Sequence, residues 1–168
     1  MGLVNKMSLL MAKIGCAGLR NTSENNKNNL EYVKAVVKNQ GPRSFQFASD
    51  YIRSDATSIL KMVDVNSAIL NYTKDVILDR YVDANNEVKE NEVDMLLFAV
   101  KCLEVDVNSL VYFNEDLQEK VIEVLKSDNF VKGKFAGVPC VINIETLKKN
   151  EELTELIEFV SIAKIGNV

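Results

Sequence analysis

Histidine and tryptophan are absent from the 168 residues, and there are only two prolines and seven glycines. Without histidine the chain cannot build a Ser–His or Cys–His nucleophile pair or any His-ligated metal site. So few prolines and glycines exclude collagenous, linker-like and turn-rich sandwich proteins. Cysteine is sparse: Cys16, Cys102 and Cys140 are odd in number, widely spaced and form no CxxC. A disulfide framework is therefore excluded, and a reducing, cytoplasmic location is expected. Cys102 falls in an apolar stripe, where cysteine serves as a small hydrophobe. Long apolar runs are missing too. The opening MGLVNKMSLLMAKIGCAGL is broken by Lys6 and Lys13, leaving too short a run for a secretory apolar region. Lys13 occupies an apolar position of the lipobox that would precede Cys16, and Lys6 stands where a myristoylation signal needs Ser or Thr. No stretch reaches the length of a membrane span, so no membrane partner is expected.

The composition that is present, 47% hydrophobic and 26% charged, is that of a globular chain. The net charge of -4 is unevenly laid out, with +5 over residues 1–54 and -7 over residues 86–128. Such a layout accords with solvated helix faces, and it can also steer how partners approach.

Apolar residues recur mostly at helical spacing. Leu3, Met7, Leu10 and Ile14, bordered by Val4 and Met11, predict an amphipathic first helix closed by Gly15 or Gly18. NTSENNKNN, from Asn21 to Asn29, reads as a mobile polar loop. Leu30, Val33, Val36 and Val37 predict a helix ended by Gly41 and Pro42. Further helical stripes carry Phe45, Ala48 and Ile52, then Ile59, Met62 and Val63, then Ile69, Tyr72, Val76 and Ile77. Tyr81 to Asn91 is a polar, acidic segment. The helical pattern resumes with Val93, Leu96, Leu97 and Val100, and again after an Asn114 cap. Residues 127–143 are the least helical part, and within them 134–143 (FAGVPCVIN from Phe135) fits either a short strand or a loop. Asn150, Glu151 and Glu152 open a final helix that buries Leu153, Leu156, Ile157 and Val160.

The string VDVNS occurs at Val63–Ser67 and at Val105–Ser109. Anchored on an aromatic, Phe47, Tyr72 and Tyr112 align. Phe45, Leu70 and Leu110 lie two residues before them, and Asp50, Asp75 and Glu115 three after. These alignments predict that Tyr72 and Tyr112 are largely buried equivalents, each wedged between neighbouring units. AVVKNQG, FQFAS and FAVK make residues 30–128 resemble a short helical repeat family known only as a domain of unknown function. Ser67 and Ser109 stand at the place of that family's glycine. The resemblance implies two-helix units and no activity. Units of this size cannot bury their own apolar faces and must stack.

The strongest metal-like pattern is an EF-hand frame with Asp83, Asn85, Glu87, Asn91 and Asp94 at positions 1, 3, 5, 9 and 12. Asp64, Asn66 and Asp75 repeat it in part. The turn glycine at position 6 is replaced by Val88 and Ile69, so no metal ligand is assigned and the loop 83–94 supplies only the alternative reading. Glu90 and Asp94 sit one helical turn apart, as on solvated faces. Gly133-Lys134 lacks the rest of a phosphate loop, and Cys140 has no histidine base. Arg43 and Arg53 with Phe45, Phe47 and Tyr51 could stack nucleic-acid bases, but their core spacing favours packing and disfavours a nucleic-acid partner.

The chain is accordingly expected to be all-α. It would be one domain over 1–168, with an N-terminal helix in 1–20, stacked helical-hairpin repeats in 30–128 and a C-terminal capping helix in 144–165. The expected function is a non-enzymatic protein–protein interaction module without catalytic residues or cofactor. The alternative is a small metal- or ligand-binding regulator. The N-terminal helix is expected to dock on its own repeats, against the alternative of a homodimer or a partner through its apolar stripe.

Overall fold

Short polar side chains start almost every helix, and in the computed structural model these caps lay out the chain. The structure describes the backbone of residues 3–73, 80–82, 88–90, 95–135 and 138–165, with side chains at 6–73, 95–135 and 138–161. Most of this backbone is helical. The chain divides into two compact units, Met1–Asn91 and Glu92–Val168, a division that falls inside the 30–128 stretch.

The first unit opens with α1 (Leu3–Lys13), α2 (Glu24–Lys27) and α3 (Leu30–Gln40). Gly15, at φ +77°, lets the chain leave α1 in the left-handed region that glycine tolerates. The polar stretch 21–29, expected to be a mobile loop, instead forms α2. Ser23 caps it, the Asn26 amide donates to Thr22 Oγ1 at 2.8 Å, and Asn29 Oδ1 accepts from Tyr32 N to start α3. Asn and Ser are poor in helix interiors but satisfy the orphan donors at helix starts, so this composition marks caps as well as loops. α3 buries Tyr32, Val33, Val36 and Val37 and ends at Gly41 (φ +85°), whose N–H donates to Val37 O. Pro42 then opens a 3-10 helix, Pro42–Phe47. α4 (Asp50–Ser54), α5 (Ala56–Val63) and a second 3-10 helix, Ser67–Tyr72, follow. The core gathers Val33, Val36, Phe45, Ile52, Ile59, Met62 and Ile69, all at most 1% exposed. The acidic segment carries β1 (Arg80–Val82) and β2 (Val88–Glu90), an antiparallel pair with Tyr81 opposite Lys89.

The second unit is built around α6 (Met95–Val105), which buries Leu97, Phe98, Ala99, Val100, Cys102 and Leu103 and so is covered on most of its circumference. A third 3-10 helix, Val107–Tyr112, leads to α7 (Glu115–Ser127), capped as expected by Asn114 Oδ1 accepting from Leu117 N at 2.9 Å. Residues 127–143 resolve into a hairpin of β3 (Phe130–Phe135) and β4 (Val138–Asn143). The facing pair Val131 and Ile142 is buried, while Phe130, Lys132, Val141 and Asn143 point to solvent. This period of two is too short and too interrupted by Gly and Pro to be distinguished from a loop by sequence. The two hairpins are the departures from an all-α chain. The last helix is in two pieces, α8 (Glu145–Lys148) and α9 (Glu151–Ile165), because Asn150 Oδ1 caps the Leu153 N–H at 3.0 Å and restarts the helix.

The three 3-10 helices close in the same way. Ala48, Thr73 and Phe113 follow them at φ -65°, -70° and -81° with ψ near-extended, and their N–H groups donate to Phe45 O, Leu70 O and Leu110 O. Those three acceptors are the buried column, at 0%, 9% and 0% exposure. Phe47, Tyr72 and Tyr112 end the helices and are half-buried, less covered than the column two residues before them. The duplicated VDVNS is also out of register. Its fourth residue, Asn66, caps the second 3-10 helix, whereas its second residue, Asp106, caps the third. The cap is counted back from the buried leucine, so identical strings take different roles. Gly41, Asn66 and Asp106 share the pre-helix position, which corrects the placing of Ser67 and Ser109 at the glycine.

Candidate interaction surfaces

The metal-like residues Asp83, Asn85, Glu87, Asn91 and Asp94 lie outside the described residues. The residues that enter their frame, Arg80–Val82, form a strand, where an EF-hand enters from a helix. In the partial second frame Asn66 Oδ1 accepts from Ala68 N at 3.0 Å and is a helix cap; Asp75 lies outside the described residues. Among the described residues no group of three or more Cys, Asp or Glu is placed to hold a metal ion. Glu90 belongs to a strand, so the helical-turn spacing to Asp94 does not apply. Gly133 and Lys134 lie within β3.

The thiols are in three different settings. Cys16 is exposed, Cys140 is half-buried in β4, and Cys102 is buried in α6, where desolvation pushes its pKa far up. The aromatic–arginine group is divided between core and rim. Phe45 is buried, Phe47 lies under Arg20 with 5.8 Å from guanidinium carbon to ring centroid, and Arg53 pairs with Asp50 at 3.1 Å while Nη1 donates to Tyr72 O. Phe45 is thus committed to the core and Phe47 and Arg53 to local contacts, while Arg43 is exposed.

Three apolar surfaces remain. The first is an open groove of about 540 Å³ where α9 passes α7 and α8. Leu125, Leu147, Leu153 and Ile157 supply its apolar lining, with Lys126 and Glu158 contributing charge. A second opening of about 470 Å³ reaches Ile122 and Val160. The groove lies beside the break between α8 and α9, where Asn150 restarts the helix, and the second opening lies between α7 and α9. Phe159, 65% exposed, projects from α9.

The second surface is the outer face of the β3–β4 hairpin, with Phe130 and Val141 exposed beside Lys132. On the inner side Lys101 Nζ sits 5.2 Å from the Phe135 ring centroid.

The third surface is α1. Its Ala12 is fully buried, and α1 packs along α3. The Asn39 amide nitrogen reaches Ala12 O at 2.9 Å and Lys13 O at 3.1 Å, satisfying carbonyls at the helix end, and Gln40 Nε2 donates to Ala17 O. The helix therefore docks in cis, but not through Met7, Leu10 or Ile14 of the stripe expected to dock; the side chains of Leu3 and Val4 lie outside the described residues. Met7, Leu10 and Ile14 are 66%, 58% and 59% exposed, and Met11 is exposed beside them. The burial of Ala12, on the opposite side, overrides the larger side chains because a small residue lets the two helices approach closely.

No protein-family model, curated protein or solved structure matches this chain.

Proposed function

We propose that the protein is a non-enzymatic, cytoplasmic protein–protein interaction module that presents a surface of helical-repeat units. Supporting the repeat reading is the common closure of Pro42–Phe47, Ser67–Tyr72 and Val107–Tyr112, each preceding a position that is a helix N-cap (Ser49, Asn114) where it is described. The observation that carries the binding role is the α7–α8–α9 groove, whose lining is mainly apolar and whose volume suits side chains of a partner segment. The three cysteines are unpaired, in keeping with a reducing compartment.

Capture from the native host tests this reading with two baits, the full chain and its Ile157→Lys variant. Ile157 is half-buried at the groove, so the variant is kept only if its melting temperature stays within a few degrees. A defined protein retained by the first bait and lost by the second supports the groove as a docking site. Identical captures from both baits would set the reading aside.

A further inference from the structure

We propose that α1 is a docking element for an anionic lipid surface, with Met7, Leu10, Met11 and Ile14 entering the boundary between headgroups and acyl chains and Lys6 and Lys13 meeting acidic headgroups. Four large apolar side chains share one exposed face of a helix whose opposite face is already committed to α3 through Ala12 and the Asn39 amide. The face is thus presented on a held helix, and binding needs no coupled folding of that segment.

Charge selects the occupant. At about 100° per residue, Lys6 and Lys13 fall on the same edge of the apolar face, and both are exposed. Arg20 follows, also exposed, and no acidic residue precedes Glu24. The combination of an apolar stripe with flanking lysines is the two-signal pattern of helices that lie in the plane of a membrane. It is distinct from a span: no helix among the described residues is long and apolar enough to cross a bilayer.

A second copy of the chain fits less well. A stable dimer uses roughly 20–30 residues on each side, whereas this face offers four large apolar side chains over little more than two turns. Placed in a heptad frame, both lysines take the same flanking position. An antiparallel pair would set lysine against lysine, and a parallel pair would set lysine against Val4 and Met11, so neither arrangement supplies a counter-charge.

Flotation of the full chain with large unilamellar vesicles tests the proposal, using phosphatidylcholine alone and phosphatidylcholine with about 30% phosphatidylserine, a charge density at which each basic residue near the surface counts. The wild type is expected to float with the anionic vesicles only and to be released by high salt. Lys6→Gln/Lys13→Gln should weaken binding about 30-fold, and Met7→Gln/Leu10→Gln should abolish it, while Phe159→Gln, an exposed apolar side chain elsewhere, should leave it unchanged. These positions are exposed, and unchanged melting verifies each fold. Met7→Trp places a single tryptophan in a chain that has none, and its emission should shift to the blue with anionic vesicles only. Three results would overturn the proposal. They are no flotation with anionic vesicles, flotation indifferent to the α1 substitutions, or a wild-type dimer in solution that Met7→Gln/Leu10→Gln converts to monomer.

Discussion

Cys102 and the asparagines show how residue type translates into role. Burial in α6 raises the Cys102 thiol pKa, so the folded state holds its proton at pH values where the unfolded chain, near the ordinary thiol value of about 8.5, releases it. Above that pH the folded state binds more protons than the unfolded state, and stability must fall as pH rises. Urea unfolding should therefore lose stability with pH more steeply in the wild type than in Cys102→Ala above about pH 8.5, the extra slope approaching its limit of about 1.4 kcal/mol per pH unit only at about pH 10. Equal slopes would mean that the thiol is not desolvated. The apolar stripe that contains Cys102 was enough to read its burial from the sequence. The asparagines were harder. Asn29, Asn66, Asn114 and Asn150 accept from backbone N–H groups at helix starts, and Asn39 donates to the carbonyls at the end of α1. Asn66 alone among them also falls in a metal-like spacing, because caps and ligands draw on the same short oxygen-bearing side chains.

At the scale of elements, helix starts were the most legible feature and helix partners the least. Asn114, Asn150 and the Gly41-Pro42 pair act locally, through atoms within a few residues, so their roles follow from sequence. The aromatic register was also legible: Phe47, Tyr72 and Tyr112 each end a 3-10 helix. Which member of the unit is buried was not, because a six-residue 3-10 helix eclipses side chains every three residues and turns the residue two before the aromatic into the core. Leu110→Ala should accordingly cost about 3 kcal/mol, and Tyr112→Ala clearly less, since Tyr112 is half-buried while Leu110 is fully buried. Denaturant midpoints of the two variants decide it; a larger loss at Tyr112 would restore the aromatic as the packing residue. The same limit explains α1. Heptad spacing marks a cohesive stripe without saying which neighbour, if any, covers it, and close approach at Ala12 leaves the stripe outside.

For the whole molecule, the metal reading makes a contrary expectation that is simple to measure. Millimolar calcium should leave the melting temperature unchanged, since the frame at Asp83 lacks its turn glycine and is entered from a strand. Calcium at about a hundred times its dissociation constant would add roughly 2.7 kcal/mol, so a rise that disappears in Glu87→Ala would establish that loop as a site. The sequence by itself determined the mainly helical class, the caps at Asn114 and Asn150, the burial of such stripe residues as Val33, Val36, Ile59, Met62, Leu97 and Val100, and the absence of histidine chemistry, because composition, periodicity and capping act within a turn or two of the chain. Only the tertiary structure decided that residues 130–143 pair as a hairpin, that a groove lies where α9 passes α7 and α8, and that α1 packs along α3 with Met7, Leu10, Met11 and Ile14 left exposed. Each of these depends on which distant surfaces meet, and apolar side chains signal that they will be buried or bound without naming the surface that receives them.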